Sequence, residues 1–406
     1  MSAVPTSPSS SSTGIVLSGG GARGAYEAGV VQGIMEVLQP TKPPFEVLTG
    51  TSVGALNATY LAAHSHLPDM SARGLAEQWR ALDVSTHLKL DMRGVLGWRR
   101  DWKTEPEDKG DKLPRRTGRS LLDPRALEDI VRNGVPWDRL HENIAQSRIR
   151  ALVVAALHIA SGRTTLFAEL SPGSELKPLV DPRRAQVEEP LTSDHVLASA
   201  AIPLVFPARR IGQSFFCDGG VRFNTPIAPA LRAGAQKLVV VSLASQEAPA
   251  TDTTPIEERI EAYNSPVFMV GKVLNALLLD PLRYDLQVLG RLNDLLTILE
   301  TVLPPSELDK VQQVIINSRG FPYRRVETLV FRPSRDVGKM ARERAAKLQS
   351  SRFSSWLVAR TATLGALWES DVLSFILFDS HFANELIELG RTDAVSRARE
   401  IEAFFR

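Results

Sequence analysis

The chain is 406 residues long, 43% hydrophobic and 23% charged, with a formal net charge of +2. That is the balance of an ordinary globular protein, and it excludes collagen-like, disulfide-scaffold and wholly disordered classes. The charge is too mild to point to nucleic acid. The single cysteine, Cys217, excludes an intrachain disulfide and a cysteine-cluster metal site.

Residues 1–13 are mostly serine, proline and threonine and read as a flexible, solvated tail. They lack the basic start and apolar stretch of a signal peptide. No apolar run approaches the roughly 20 residues that a membrane span needs. The expectation is a cytoplasmic protein, or one that touches a membrane from one side.

Residues 14–18 form a short apolar run ending in glycines and predict a buried strand. Residues 25–38 follow with helical spacing, with Val30, Ile34, Val37 and Leu38 on one stripe. A second strand is expected over 45–48 and a second helix over 53–63. Strand, helix, strand, helix implies a parallel sheet covered by helices. Residues 91–119 change character, with nine Lys or Arg against six Asp or Glu, and Trp98 and Trp102 among them. They read as a long loop or lid, either a solvated excursion or a lipid-facing flap.

Residues 151–160 and 237–244 are β-branched apolar runs expected as central strands. Residues 196–207 read as an apolar loop, and 214–217 as a short strand running into Asp218-Gly219-Gly220. The pattern is helical from 256 to 316, with Leu292, Leu295, Leu296, Leu299 and Leu303 forming a stripe expected to face a core. A further strand is expected over 327–331. Later helices include one over 382–389 that Gly390 would stop. The resulting divisions are the tail 1–13, a catalytic core 14–250, a helical insertion 251–325, and a return strand with C-terminal helices over 326–406.

Two glycine motifs carry chemistry. Gly19-Gly20-Gly21-Ala22-Arg23-Gly24 lies between a strand and a helix. Backbone N–H groups there can approach an anion, and the helix N-terminus adds a positive dipole. Alone, the motif fits a dinucleotide site or an oxyanion hole. The next strand does not end in the acidic residue a dinucleotide fold uses. It runs instead into Gly50-Thr51-Ser52-Val53-Gly54, a G-x-S-x-G between strand and helix, where a sharp turn would lift the Ser52 hydroxyl above the sheet edge. A serine nucleophile needs a base. His381 satisfies the chain order of a Ser–Asp–His triad but reads as an exposed helix start, and the other histidines lack a partner pattern. Asp218 is the remaining candidate, although Asp-Gly after a strand is also an ordinary hairpin turn.

These motifs together resemble the patatin-like phospholipase family. It carries a glycine-rich loop, a G-x-S-x-G elbow soon after, and a downstream Asp-Gly-Gly, here Asp218-Gly219-Gly220. The stretch Ala198-Ser199-Ala200-Ala201-Ile202-Pro203, ending in Phe206-Pro207, is similar to the family's loop before its aspartate. Asn224-Thr225-Pro226 is similar to the segment after it, and residues 377–394 resemble C-terminal segments of some bacterial members. One departure is Ser18, where many members carry aspartate.

The resemblance implies an α/β fold, a sandwich with a mostly parallel sheet flanked by helices and C-terminal helical additions. It implies a Ser–Asp dyad with Ser52 as nucleophile and Asp218 as base. The oxyanion hole would comprise Gly19, Gly20, Gly21, Arg23 and Gly24, using the N–H groups of Gly20 and Gly21, while Gly50, Gly54, Gly219 and Gly220 shape the turns. Arg23 has a plainer alternative as a solvent-facing residue. The implied reaction is acyl-ester hydrolysis of lipids, of phospholipase A or lysophospholipase type, with peripheral membrane contact and without metal, cofactor or nucleic acid. An acyltransferase using the same dyad and an inactive lipid-binding protein are the alternatives.

Overall fold

The computed structural model describes residues 12–82, 114, 116–118, 123–178, 181–203, 205–223, 226–246, 260, 281–319, 321–348 and 370–406. In chain order they form β1 (Thr13–Leu17), a 3-10 turn (Gly21–Arg23), α1 (Gly24–Leu38), β2 (Val47–Thr51), α2 (Val53–Ala63), α3 (Pro68–Ala81), β3 (Arg116–Thr117), α4 (Arg125–Gly134) and α5 (Trp137–Ala145). Then come β4 (Ala151–His158), β5 (Arg163–Leu170), β6 (Arg184–Glu188), α6 (Ser193–Ser199), β7 (Ala208–Ile211), β8 (Ser214–Asp218), α7 (Ile227–Arg232) and β9 (Lys237–Val241). The C-terminal part holds α8 (Pro281–Val302), α9 (Pro305–Arg319), β10 (Glu327–Phe331), α10 (Val337–Leu348), α11 (Ser370–Ile376), α12 (Ser380–Val395) and α13 (Ala398–Phe405).

One mixed sheet organises these elements. Strands β10, β9, β1, β2 and β4 lie side by side and parallel. Along its whole length β4 also pairs antiparallel with β5, which in turn pairs with β6. Beyond the end of β2, the last residues of β4 pair antiparallel with β8, which continues into β7 and β3. The central strands β1 and β2 are buried along their whole length because both faces are covered. Ile15 and Leu17 face the larger core with Tyr26, Ile34 and Phe382, whereas Val16 faces the smaller one with Ile227 and Leu289. Burying each such side chain contributes about 1.5–3 kcal/mol.

Several elements differ from the sequence reading. The second strand is Val47–Thr51 rather than 45–48. Its polar end was not legible as strand, yet Thr49 and Thr51 are buried and donate to the carbonyls of Pro226 and Phe223. The start of the expected loop 196–207 is helical in α6, which a capping box between Thr192 and His195 begins. The leucine stripe of α8 is not uniformly core: Leu296 is 3% exposed and Leu295 is 50% exposed. Gly390 does not stop a helix. It lies inside α12, where a Cβ would stand 2.3 Å from the Tyr26 carbonyl, so it lets α12 and α1 cross at backbone contact. Of the expected lid, only Pro114 and Arg116, Thr117 and Gly118 are described, and Arg116–Thr117 is a strand at the sheet edge. Trp98, Trp102, Asn224 and Thr225, and most of 251–280, lie outside the described residues.

Candidate active site

Strand β4 acts as the ruler that joins the two motifs. Thr51, the last residue of β2, pairs with Ala155, and Asp218, the last residue of β8, pairs with Ala156. Consecutive residues of one strand therefore bring Ser52 and Asp218 to the same point of the sheet edge, one from a parallel neighbour and one from an antiparallel neighbour.

Ser52 occupies a sharp turn with φ 55° and ψ −126°. A non-glycine residue in that region stores about 1–3 kcal/mol, which the surroundings must offset. They do so through Ser199. The Ser52 N–H donates to Ser199 Oγ at 2.9 Å, and Ser199 Oγ donates to the Ala155 carbonyl at 2.7 Å. The Ser52 carbonyl starts α2 by accepting from Ala55 N at 3.0 Å. The turn also needs small neighbours. A Cβ on Gly54 would lie 2.3 Å from the Leu17 carbonyl oxygen, and one on Gly50 would lie 2.2 Å from that of Gly54.

Asp218 is fully buried. Its N–H is held by the Ala201 carbonyl at 2.9 Å, and its Oδ1 accepts from Gly220 N at 2.7 Å. Gly219 packs against the Ala155 carbonyl. Among the described residues, Oδ2 has no partner at ordinary hydrogen-bond geometry. Burial pushes the Asp218 carboxyl up to about 7, while the neighbouring Ser52 side chain and the Gly220 N–H draw it back down. A base poised there can accept a proton from a serine near neutral pH.

The glycine loop follows β1 on the same edge. Gly21 has φ 57°, and a Cβ there would strike the Phe375 carbonyl. Gly19 and Gly20 precede it, and Gly24, packed against Val53, opens α1. The loop is anchored from below by Glu27. Its carboxylate accepts from Ser18 N at 2.7 Å and from Asn57 Nδ2 at 2.8 Å, and Asn57 in turn accepts from Trp79 Nε1 at 3.0 Å. Burial pushes the Glu27 pKa well above the usual carboxylate range, against those two hydrogen bonds.

Arg23 is not solvent-facing, as one reading of the sequence had it. It is 3% exposed. Its Nε donates to Ser374 Oγ at 2.8 Å, its Nη1 donates to the Leu243 carbonyl at 3.2 Å, and its guanidinium lies 4.5 Å from the Phe375 ring centre. The side chain thus ties the loop to α11. Next to Ser52 and Gly21 opens a cavity of about 80 Å³, walled by apolar groups such as Leu56, Trp79, Ile202, Phe206 and Phe378.

His381 is exposed at the start of α12. His195 is buried but engaged, with Nε2 3.0 Å from Glu189 and Nδ1 2.9 Å from the Thr192 hydroxyl. Sequence reasoning missed Ser199, Glu27 and Asn57 as supports of the site. Ser199 sits inside a recognised motif, but nothing in that motif shows which backbone group it holds.

An elbow serine, a buried carboxyl on the adjoining strand and a glycine loop thus stand together on one sheet edge. A family model for patatin-like phospholipases matches residues 15–231, and the chain belongs to that family. It is 28% identical over 214 residues to a cGAMP-activated phospholipase of Pseudomonas aeruginosa, a match covering 52% of this chain and 53% of the relative. The chain thus spans about half the length of that curated relative. Among solved structures, VipD from Legionella pneumophila aligns over 92% of this chain and 91% of its own, with 13% identity and a TM-score of 0.35. Among the described residues, no helix is long and apolar enough to cross a membrane.

Proposed function

We propose that the protein is a phospholipid acyl-ester hydrolase, of phospholipase A or lysophospholipase type, working through a Ser52–Asp218 dyad. The observation that carries this reading is the convergence of a strained Ser52 turn and the buried, unusually basic Asp218 carboxyl on adjacent residues of β4. Family membership supports the lipid substrate class.

In this reading Ser52 Oγ attacks the ester carbonyl as Asp218 takes its proton. The negative charge moves onto the former carbonyl oxygen, where N–H groups of the Gly20–Gly21 loop receive it. One such donor is typically worth about 3–4 kcal/mol of barrier. Collapse expels the alcohol, which takes the proton from Asp218, and leaves the acyl group on Ser52. Water then attacks the acyl-serine, with Asp218 again as base, and releases the fatty acid. The apolar walls of the cavity beside Ser52 suit the first carbons of an acyl chain. Arg23 acts by fixing the loop, because its guanidinium is bound to Ser374 and Leu243.

The test is fatty acid release from phospholipid, lysophospholipid and triacylglycerol by wild type beside Ser52→Ala. Because the Pseudomonas relative is named as cGAMP-activated, each assay is run with and without cGAMP. Release that Ser52→Ala abolishes is the expected result. Equal release by both proteins refutes the dyad, and transfer of the acyl group to an added alcohol in preference to water makes the protein an acyltransferase instead.

A further inference from the structure

A second cavity lies at the opposite end of the sheet from Ser52. It measures about 860 Å³, within the roughly 300–1,000 Å³ range of ligand pockets. Arg150, which immediately precedes β4, and Arg324, just before β10, line it. Both stand at the amino ends of parallel strands, whereas Ser52 follows the carboxyl end of β2. Five residues of strand separate those edges, roughly 15 Å. None of the proposed catalytic residues lines this cavity.

Its charge is unbalanced. Five cations line it, Arg150, Lys177, Arg184, Arg232 and Arg324, against three acids, Glu46, Glu175 and Asp285. Three of the cations are committed. Lys177 pairs with Glu175. Arg232 donates to the Lys177 carbonyl and the Gln186 side chain. Arg184 lies 4.2 Å from the Phe223 ring centre, 3.5 Å from Asp181, and faces the half-buried Asp285.

Arg150 and Arg324 are different. They converge on the Gly234–Ala235 turn, where Arg324 Nη2 donates to the Ala235 carbonyl at 2.7 Å and Arg150 Nη1 lies against Gly234. Arg150 Nε forms a long ion pair with Glu46, at 3.7 Å. Among the described residues, Arg324 has no carboxylate within ion-pair distance. Burial lowers the Arg324 pKa, and the positive charge of Arg150 lowers it further. Two guanidiniums drawn to one turn repel each other, and Glu46, paired with Arg150, balances only one of their two charges. A pair of planar five-donor forks matches a phosphate group, which offers three acceptor oxygens and close to two charges. Ile227, Leu231, Val288 and Leu289 line the same cavity and offer apolar surface to the rest of a ligand.

We propose that this cavity is a second, non-catalytic site that binds a small organic phosphate, its phosphate clamped by Arg150 and Arg324. The phosphate can belong to a soluble metabolite or to a lipid headgroup, and the test separates the two. The proposal does not rest on the Ser52 chemistry, because binding is measured directly.

The experiment is calorimetric titration of full-length Ser52→Ala protein with AMP, glycerol 3-phosphate and lysophosphatidate below its micelle concentration. Adenosine and monoacylglycerol serve as phosphate-free controls. Saturable binding of at least one phosphate compound is expected, with its control failing to bind. Affinity should fall at least tenfold in Arg150→Ala/Arg324→Ala and in the milder Arg324→Gln, whose thermal midpoint reports whether it remains folded. Preference for lysophosphatidate assigns a lipid headgroup, and preference for AMP or glycerol 3-phosphate assigns a soluble phosphate. No saturable binding of any phosphate compound, or undiminished binding by folded Arg324→Gln together with the double variant, overturns the proposal.

Discussion

Replacing Asp218 by asparagine separates the chemistry of this carboxyl from its cost to the fold. In the folded protein burial raises the carboxyl from its usual 3.8 to about 7. At 1.36 kcal/mol per pKa unit, ionising Asp218 inside the fold costs about 4 kcal/mol. Between about pH 4 and pH 7 the folded state therefore binds more protons than the unfolded state, and this group's contribution to stability falls as pH rises. Asparagine cannot ionise. Relative to its value near pH 4, the stability of Asp218→Asn should gain about 4 kcal/mol on wild type by pH 8. Glu27 is present in both proteins, so its own titration cancels.

Activity should move the opposite way. If the ionised carboxyl is the base, wild-type kcat/KM rises about tenfold per pH unit up to about pH 7 and then levels, while Asp218→Asn is depressed by orders of magnitude throughout. Denaturant unfolding of both proteins from pH 4 to 8, beside a pH–rate profile on one phospholipid, measures both effects. A rate plateau extending down to pH 5, or a stability difference that does not change with pH, would refute the reasoning.

Three further outcomes follow from the geometry. Ser199→Ala leaves the Ser52 N–H buried without its acceptor, so it should cost about 1–3 kcal/mol in unfolding and lower kcat tenfold or more with little change in KM. Gly54→Ala places a Cβ 2.3 Å from the Leu17 carbonyl oxygen, and thermal unfolding should register a loss of about 1–3 kcal/mol. His381→Ala should leave kcat/KM within about twofold, since the residue is exposed at a helix start; a hundredfold loss would restore a triad.

What the sequence made legible was set by its apolar runs. The helix Val53–Ala63 and the strand Glu327–Phe331 have the bounds expected of them, because each is an apolar run of the length its element needs. Polar residues that the fold buries carry no such signal. Thr49 and Thr51 look like the end of a strand, and Glu27 looks like a surface position on α1, until each is seen with its partner. Gly390 reads as a stop for the same reason: helix crossing at backbone contact is a property of two segments, and only one of them is in view.

The same distinction separates the motifs from their alignment. Ser52, Asp218 and the glycine loop announce a chemistry through residue types and spacing. None of them is held in position by its own motif alone. Ser199 fixes the elbow by joining Ser52 N–H to the Ala155 carbonyl. Ala201 fixes the N–H of Asp218. The glycine loop depends on the far end of the chain, where Ser374 takes Arg23 Nε and the Phe375 backbone closes over Gly21. A glycine in the left-handed region, as Gly21 is, is also free to leave it. An arginine bound to Leu243, 220 residues away in sequence, and to Ser374 and Phe375, about 350 residues away, limits that freedom. The C-terminal segment is therefore part of the apparatus that orders the loop, even though it contributes none of the proposed reacting groups.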